Sequence, residues 1–364
     1  MTGPYYDPNS YPPNMGPNQP MPPQQHQMPP PGFADPGRHH FGDESNSVRF
    51  NDLAPRRKVP PTVGWRKAVF YGTFKLVNLG KSKAEQHQDK LEARIKRDIR
   101  RRYVIAVVAP SGAGATTLTA AIGETFKICR PKNVLAIDAD PGFGTLALRV
   151  AETARGDIAS LLKESDVENH SDMKPSLTVS EETGLEALAG DRNDAPGRVL
   201  TPEMFSQVMR LVARTAVHEV ILVDCGNDLE HPVMGAVLHE ADMLVLVSGL
   251  TADSAVPVSR AIEWLKNAGY NHLVSRSMVI INDWRGDGNK DNRAKLKERF
   301  VRTTGSKAVE DMGFDPYLAR GGIIDVKHEL DKGTRLRLHE ITAKLADLYV
   351  PEAGRPAGYA GTER

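Results

Sequence analysis

Ala109-Pro110-Ser111-Gly112-Ala113-Gly114-Ala115-Thr116-Thr117 lies between an apolar run, Tyr103 to Val108, and a stretch rich in Ala, Thr and Leu, Thr116 to Ile128. A strand, a glycine-rich turn and a helix in that order form the setting in which backbone N–H groups wrap around phosphate. In the ordinary pattern G-x-x-x-x-G-K-[ST], the lysine after the last glycine reaches the β- and γ-phosphates. That position here is Ala115. Gly112 and Gly114 still let the turn close, and a helix starting near Ala115 offers its dipole and free N–H groups. The missing cation would contribute about 4 kcal/mol at 4 Å from a phosphate oxygen and an effective dielectric near 20, before desolvation. Phosphoryl transfer depends on charge neutralisation and positioning, so binding is expected to outlast hydrolysis.

From Tyr103 onward the chain alternates. Apolar strands are expected at 103–109, 133–138, 185–189, 219–224, 242–249 and 275–282, and their near-continuous hydrophobicity implies burial on both faces. Helices are expected between and after them, at 116–128, 201–215, 232–239, 254–267, 289–300 and 334–349. This alternation predicts an α/β fold with a doubly wound, mostly parallel sheet and ligands at the carboxyl ends of its strands.

Two further motifs fall at such ends. Leu135-Ala-Ile-Asp138-Ala-Asp140-Pro141-Gly142 brings two carboxylates to the sheet edge, where they can act through a Mg²⁺-bound water or orient an attacking one. Val220-Ile-Leu-Val-Asp224-Cys-Gly226 ends an apolar strand in Asp, the placing of a carboxylate that holds a metal through water. Alone, an apolar run ending in Asp is weak, because Asp caps many helices and turns. Three such residues in register with a phosphate-type loop favour function over chance.

The order of these motifs, with a later strand ending in Asn282, resembles the MinD/ParA family of P-loop ATPases. The family loop carries a second, signature lysine that crosses to the partner subunit in an ATP-sandwiched dimer. The resemblance places that lysine at Pro110 and the phosphate lysine at Ala115. It implies ATP or ADP as the ligand, bound through Ser111, Gly112, Ala113, Gly114, Ala115, Thr116 and Thr117. It also implies Mg²⁺ held by Thr116, Asp138 and Asp224, and water activation by Asp138 and Asp140. On the base side it points to Asn282 and to Pro316 in Asp315-Pro316-Tyr317. A homodimer is implied too, although the sandwich form lacks its crossing charge. The layout from about residue 60 to 350 is similar, more closely, to the MinD-like ATPases associated with actinobacterial type VII (ESX) secretion, on Gly64-Trp-Arg-Lys67, Leu91-Glu-Ala-Arg-Ile-Lys-Arg97 and Asp315-Pro-Tyr-Leu-Ala-Arg-Gly-Gly322.

The chain has 364 residues, 26% charged and 40% hydrophobic, enough for one sizeable core with appended segments. The expected division is a Pro-rich tail at 1–60, a basic helical lead at 61–102, the nucleotide-type domain at 103–350 and a short Gly/Pro tail at 351–364. The first tail has too little apolar surface to offset its ordering entropy and is expected to be disordered. Met1 is followed by polar residues and prolines instead of a basic and an apolar stretch, so no signal peptide is expected. No run approaches the roughly 18 apolar residues of a spanning helix. Cys129 and Cys225 lack metal-ligand spacing and read as free thiols. His39-His40 likewise lacks partner ligands, and Arg285-Gly286-Asp287 matches the adhesion tripeptide by letter only.

Charge is uneven. From Arg56 to Arg102 there are 15 Lys/Arg against 4 Asp/Glu, a net of +11 in a chain whose total is +1, leaving −10 elsewhere. Trp65 to Leu79 and Ala84 to Arg102 read as basic amphipathic helices. One reading is contact with an anionic membrane face, nucleic acid or an acidic partner. The other is a helix docked by its apolar stripe with its charges solvated. Two sources of a replacing cation for the loop remain open, the Arg100 to Arg102 cluster or a partner subunit.

Together these residues point to a weakly hydrolytic or non-hydrolytic nucleotide-binding adaptor or regulator in a secretion or positioning machinery. It would be cytoplasmic or peripheral at the inner membrane face. Two alternatives stand beside it: a working partition-type ATPase, and a scaffold that binds no nucleotide.

Overall fold

The structure, a computed structural model, describes residues 81–349 apart from 143, 165–166 and 191–199. The Pro-rich segment 1–60, the Trp65 to Leu79 helix and the tail 351–364 lie outside the described residues. The elements in chain order are α1 (Lys83–Ile95), β1 (Tyr103–Val108), α2 (Ala115–Cys129), β2 (Asn133–Asp138), α3 (Leu146–Val150), α4 (Ile158–Lys163), α5 (His170–Met173), β3 (Thr178–Val179) and β4 (Glu186–Leu188). They continue with α6 (Pro202–Thr215), β5 (His218–Asp224), α7 (Val233–Glu240), β6 (Met243–Ser248), α8 (Ala252–Asn267), α9 (Asn271–Arg276), β7 (Met278–Asn282), α10 (Lys290–Thr304), β8 (Val309–Met312), α11 (Pro316–Arg320) and α12 (Lys332–Asp347).

The strands form one sheet in the order β3-β4-β2-β5-β1-β6-β7-β8. All neighbouring pairs are parallel except β3 with β4. Successive side chains of a strand point to opposite faces, and in β1 both faces are apolar. Val104, Ala106 and Val108 enter a core under α6, α7 and α8, with Phe205, Val237 and Ile262. Tyr103, Ile105 and Val107 enter a second core under α1, α2 and α12, with Ile95, Phe126 and Ile341. The doubly wound parallel sheet expected from the sequence is the observed architecture. Its chain reversal brings β2, β5 and β1 side by side, so their carboxyl ends open onto one edge.

The lead helix is shorter than its sequence suggests. A capping box starts α1, with Ser82 Oγ accepting from Glu85 N–H (3.2 Å) and the Glu85 carboxylate accepting from Ser82 N–H (2.7 Å). The helix stops at Ile95 instead of continuing to Arg102, because Arg130 takes the freed carbonyls. Its Nη1 donates to Ile95 O (2.5 Å) and Arg97 O (2.9 Å), while its Nη2 pairs with Glu219 (2.6 Å). Ile99, still buried, then belongs to the extended link into β1. Leu91 and Ile95 dock α1 on the domain, and Arg94 and Arg97 pair with Asp347 of α12 at 2.6 and 3.3 Å. For this helix the docked reading is the one observed. Arg101 and Arg102 lie before β1, at the opposite end of the strand from the loop. Arg101 pairs there with Asp242 (3.6 Å) and Arg102 donates to Met209 O (3.0 Å). That cluster therefore cannot supply the loop's cation.

β8 escaped the sequence reading because Val309-Glu-Asp-Met312 is half acidic, yet Glu310 is buried and paired with Arg337 (2.6 Å) and Lys344. No helix among the described residues is long and apolar enough to cross a membrane.

Glu124 on α2 is fully buried, and neither carboxylate oxygen makes a well-formed hydrogen bond, although Thr183 and Ser180 are polar neighbours. Burial pushes its pKa up to about 7. The folded state thus holds this proton more tightly than the unfolded chain does. The associated stability is complete below about 4.5, the unfolded value, and is lost as pH rises to about 7, a loss of about 3 kcal/mol. Glu124→Gln is expected to match the parent at pH 5 and exceed it at pH 8, measured by urea unfolding at both pH values. Equal slopes in the two proteins would contradict this assignment.

Candidate functional site

The glycine-rich turn leaves β1 at Val108 and enters α2 at Ala115. Its left-handed residues are Gly112 (φ 74°) and Gly114 (φ 93°), where an L side chain would be strained. Gly114 has a second constraint. A Cβ there would lie 2.6 Å from Asn282 Nδ2, which donates to the Ala113 carbonyl at 2.9 Å and so pins the turn to the end of β7. No side chain caps α2, leaving the first-turn N–H groups of Ala115, Thr116 and Thr117 to face the cleft at the sheet edge. That cleft has a volume of about 340 Å³, within the range of small-molecule sites.

Eight of the residues proposed from sequence line the cleft: Ser111, Gly112, Gly114, Ala115, Thr116, Thr117, Asp140 and Asn282. Ala113 is buried beneath the turn. Asp138 and Asp224, each 1% exposed, do not line the cleft, because they are buried at paired positions at the ends of β2 and β5, next to the lining residues Asp140 and Gly226. Pro316 is the first residue of α11 and does not line the cleft, whereas Asp315 and Leu318 do. The reason is local. Asp315 caps α11 by accepting from Tyr317 N–H (2.8 Å) and Leu318 N–H (3.2 Å), and this brings Leu318, one turn further on, to the wall.

These buried strand ends are electrostatically loaded. Asp138 accepts from the N–H groups of Leu146 (3.0 Å) and Asp140 (3.2 Å). Any Cβ at Gly144 would lie 2.2 Å from its oxygens, so the chain can pass this carboxylate only with glycine. The Asp138 and Asp224 carboxyls are both held well above their ordinary range. Burial is the larger cause, and repulsion from neighbouring aspartates adds to it. Thr116 is a polar neighbour of Asp224 and favours its charged form, yet Asp224 Oδ1 is buried with no hydrogen-bond partner. An orphaned carboxylate oxygen beside a threonine hydroxyl fits a hard divalent cation, which oxygen donors bind.

Trp284 and Arg149 are among the cleft residues that sequence reasoning missed. Trp284 is carried to the wall by a loop that Asp283 folds by accepting from Asp287 N–H, Gly288 N–H (both 3.0 Å) and Arg293 (3.2 Å). Arg149 on α3 is the one Lys or Arg that lines the cleft among the described residues. Neither belongs to a motif with fixed spacing, so only the fold brings them in.

A separate cluster, His170, Glu186 and His218, lies toward the opposite end of β5. Both imidazole Nε2 atoms meet the same Glu186 Oε2, at 2.9 and 2.6 Å, so hydrogen bonding already accounts for it.

A glycine-rich turn after the central strand, with carboxylates ending β5 beside it and β2 beyond β5, fits the P-loop fold of the MinD/ParA type, and the chain has that fold. It superposes on the ParA family ATPase from Chlorobium tepidum TLS with a TM-score of 0.53 and 18% identity, covering 68% of this chain and 98% of the other. On the MinC:MinD cell division protein complex of Aquifex aeolicus the TM-score is 0.53 with 21% identity, covering 68% and 97%. In sequence, the chain is homologous to the ESX-1 secretion-associated protein EspI of Mycobacterium tuberculosis strains H37Rv and CDC 1551, at 34% identity over 303 residues. The match covers 82% of this chain but 44% of EspI, so the chain spans less than half the length of these relatives. No family model matches.

Proposed function

We propose that this protein binds a magnesium-bound adenine nucleotide in the cleft, turns it over slowly or not at all, and acts as an adaptor or regulator in type VII secretion. A division within one site carries the reading: the backbone donors, Thr116 and Asp224 persist, while Pro110 and Ala115 stand where the family's cations are expected. Thr116 and Asp224 would hold Mg²⁺, which neutralises phosphate charge, with Asp138 beneath them and Asp140 at the rim. The unpaired Asp224 oxygen supports that placement. Asn282 would act by keeping the turn closed around phosphate, next to the base side of the cleft.

The link to secretion rests on homology with EspI. The proposed partners are proteins of that machinery, reached through the Pro-rich segment and the basic residues 56–102 from a cytoplasmic position at the inner membrane face. Within 83–102 several basic side chains are already paired with the domain, so the Trp65 to Leu79 stretch is the better place to look for anionic contact.

Calorimetric titration of the full chain with ATP, ADP and AMP in the presence of Mg²⁺ tests the reading. ATP and ADP are expected to bind with Kd on the order of 10 μM, and AMP at least about 30-fold more weakly because it lacks the β-phosphate. Absence of binding at millimolar nucleotide would leave a scaffold. Equal affinity for all three would remove the phosphate-binding role of the turn.

A further inference from the structure

Among the described residues, one Lys or Arg lines the cleft, on an element other than the turn. Arg149 lies near the end of α3, the short helix that follows Asp138 and Asp140, and it lines the cleft together with Ser111, Gly112 and Gly114 to Thr117 of the turn. The side chain is half-buried. Its backbone is fixed by Ile324 N–H donating to Arg149 O (2.8 Å). A Cβ at Gly321, which also lines the cleft, would lie 2.8 Å from Nη1, so the glycine leaves room for the guanidinium.

The guanidinium is poorly matched with acceptors. Of its donors, Nη1 alone makes a hydrogen bond among the described residues, a long one to Gly322 O (3.4 Å), and Nε is buried with none. Burying a cation with its donors unmatched is unfavourable unless an anion completes it. Asp224 is close enough to act on it through charge, although burial has the larger effect on the arginine. Asp224 is, however, the carboxylate placed to hold the metal. The cleft that Arg149 lines is where a further acceptor can sit.

We propose that Arg149 supplies the phosphate-facing positive charge that the turn has lost, donating to the β- and γ-phosphate oxygens of a bound nucleotide. This rests on the nucleotide-binding reading given above. A planar guanidinium suits phosphate because two of its N–H groups can donate in parallel, whereas an ammonium acts as a point charge. The structural competitor is an arginine that only ties α3 to the Gly321-Gly322 turn.

The test compares ATP affinity in the full-length parent, Arg149→Ala, Arg149→Lys and the double variant Arg149→Ala/Ala115→Lys, with thermal unfolding recorded for each without nucleotide. Arg149→Ala is expected to weaken ATP binding about 10- to 100-fold, the range for a hydrogen bond to a charged group. Arg149→Lys should fall between it and the parent. The double variant should recover most of the loss, because a lysine at 115 restores the charge from the other wall. If Arg149→Ala lowers affinity and the double variant does not recover it, the arginine is structural and the proposal fails. Unchanged affinity in Arg149→Ala overturns it as well. Absence of binding in the parent would instead defeat the nucleotide reading beneath it. Should Arg149→Ala unfold, the ratio between parent and Arg149→Lys decides, and equality there is the overturning result.

Discussion

Ala115→Lys is expected to raise ATP turnover by at least about 100-fold over the parent protein, measured as phosphate release with Mg²⁺ in excess. Position 115 begins α2 and lines the cleft beside Thr116. A lysine there would project along the same wall as the turn's N–H groups. Lysine and alanine differ little in helix propensity, so the exchange leaves the backbone undisturbed. A cation near the transferring phosphoryl group contributes most when charge develops in the transition state, and loss of one such donor elsewhere lowers rates about 10²- to 10³-fold. The parent should therefore bind nucleotide through backbone donors and Arg149 while the chemical step stays slow. The paired Pro110→Lys change adds a charge at the site where the family resemblance expects one to cross to a second subunit. Its benefit should appear only as a concentration-dependent rise in rate. If Ala115→Lys leaves turnover at the parent level, the missing lysine is not what limits hydrolysis.

Ile95→Asp is the most destabilising single change expected in the lead segment. Ile95 is 0% exposed and packs with Leu91 in the core that Leu338, Ile341 and Leu345 of α12 complete. Removing such a side chain costs about 2–5 kcal/mol, and a carboxylate left in its place adds a desolvation penalty. We expect a loss of at least about 4 kcal/mol, or about 8–16 °C in Tm for a domain of this size. Arg94→Ala and Arg97→Ala should each change stability by about 1 kcal/mol or less, because their pairs with Asp347 are partly exposed. Thermal unfolding of the three variants separates an apolar from an ionic attachment of α1. Comparable losses in all three would mean that charge holds the helix.

Much of the fold was legible because its strands are apolar on both faces. Val104 to Val108, Val134 to Ile137, Val220 to Val223 and Leu244 to Val247 could only be central strands, and their order with the helices left one topology class. Asp138 and Asp224 were legible for the same reason, as charges that end such runs. What sequence could not show depends on contacts between distant residues. The end of α1 at Ile95 is set by Arg130, 35 residues away. β8 was hidden because its buried Glu310 is neutralised by Arg337 and Lys344 of α12. Arg149 carries no motif. It becomes significant only when α3 folds back against the turn and the Gly321-Gly322 segment, on the edge where Ala115 and Pro110 leave a gap in charge.

The state of bound nucleotide offers the most direct measurement. With the full-length protein in excess over ATP and Mg²⁺ present, nucleotide is recovered from the complex at intervals and its phosphates are counted. ATP recovered intact after hours, at a protein concentration above the Kd, is the expected result. Recovery as ADP within minutes would show that the turn hydrolyses without its lysines and would contradict the separation of holding a nucleotide from cutting it.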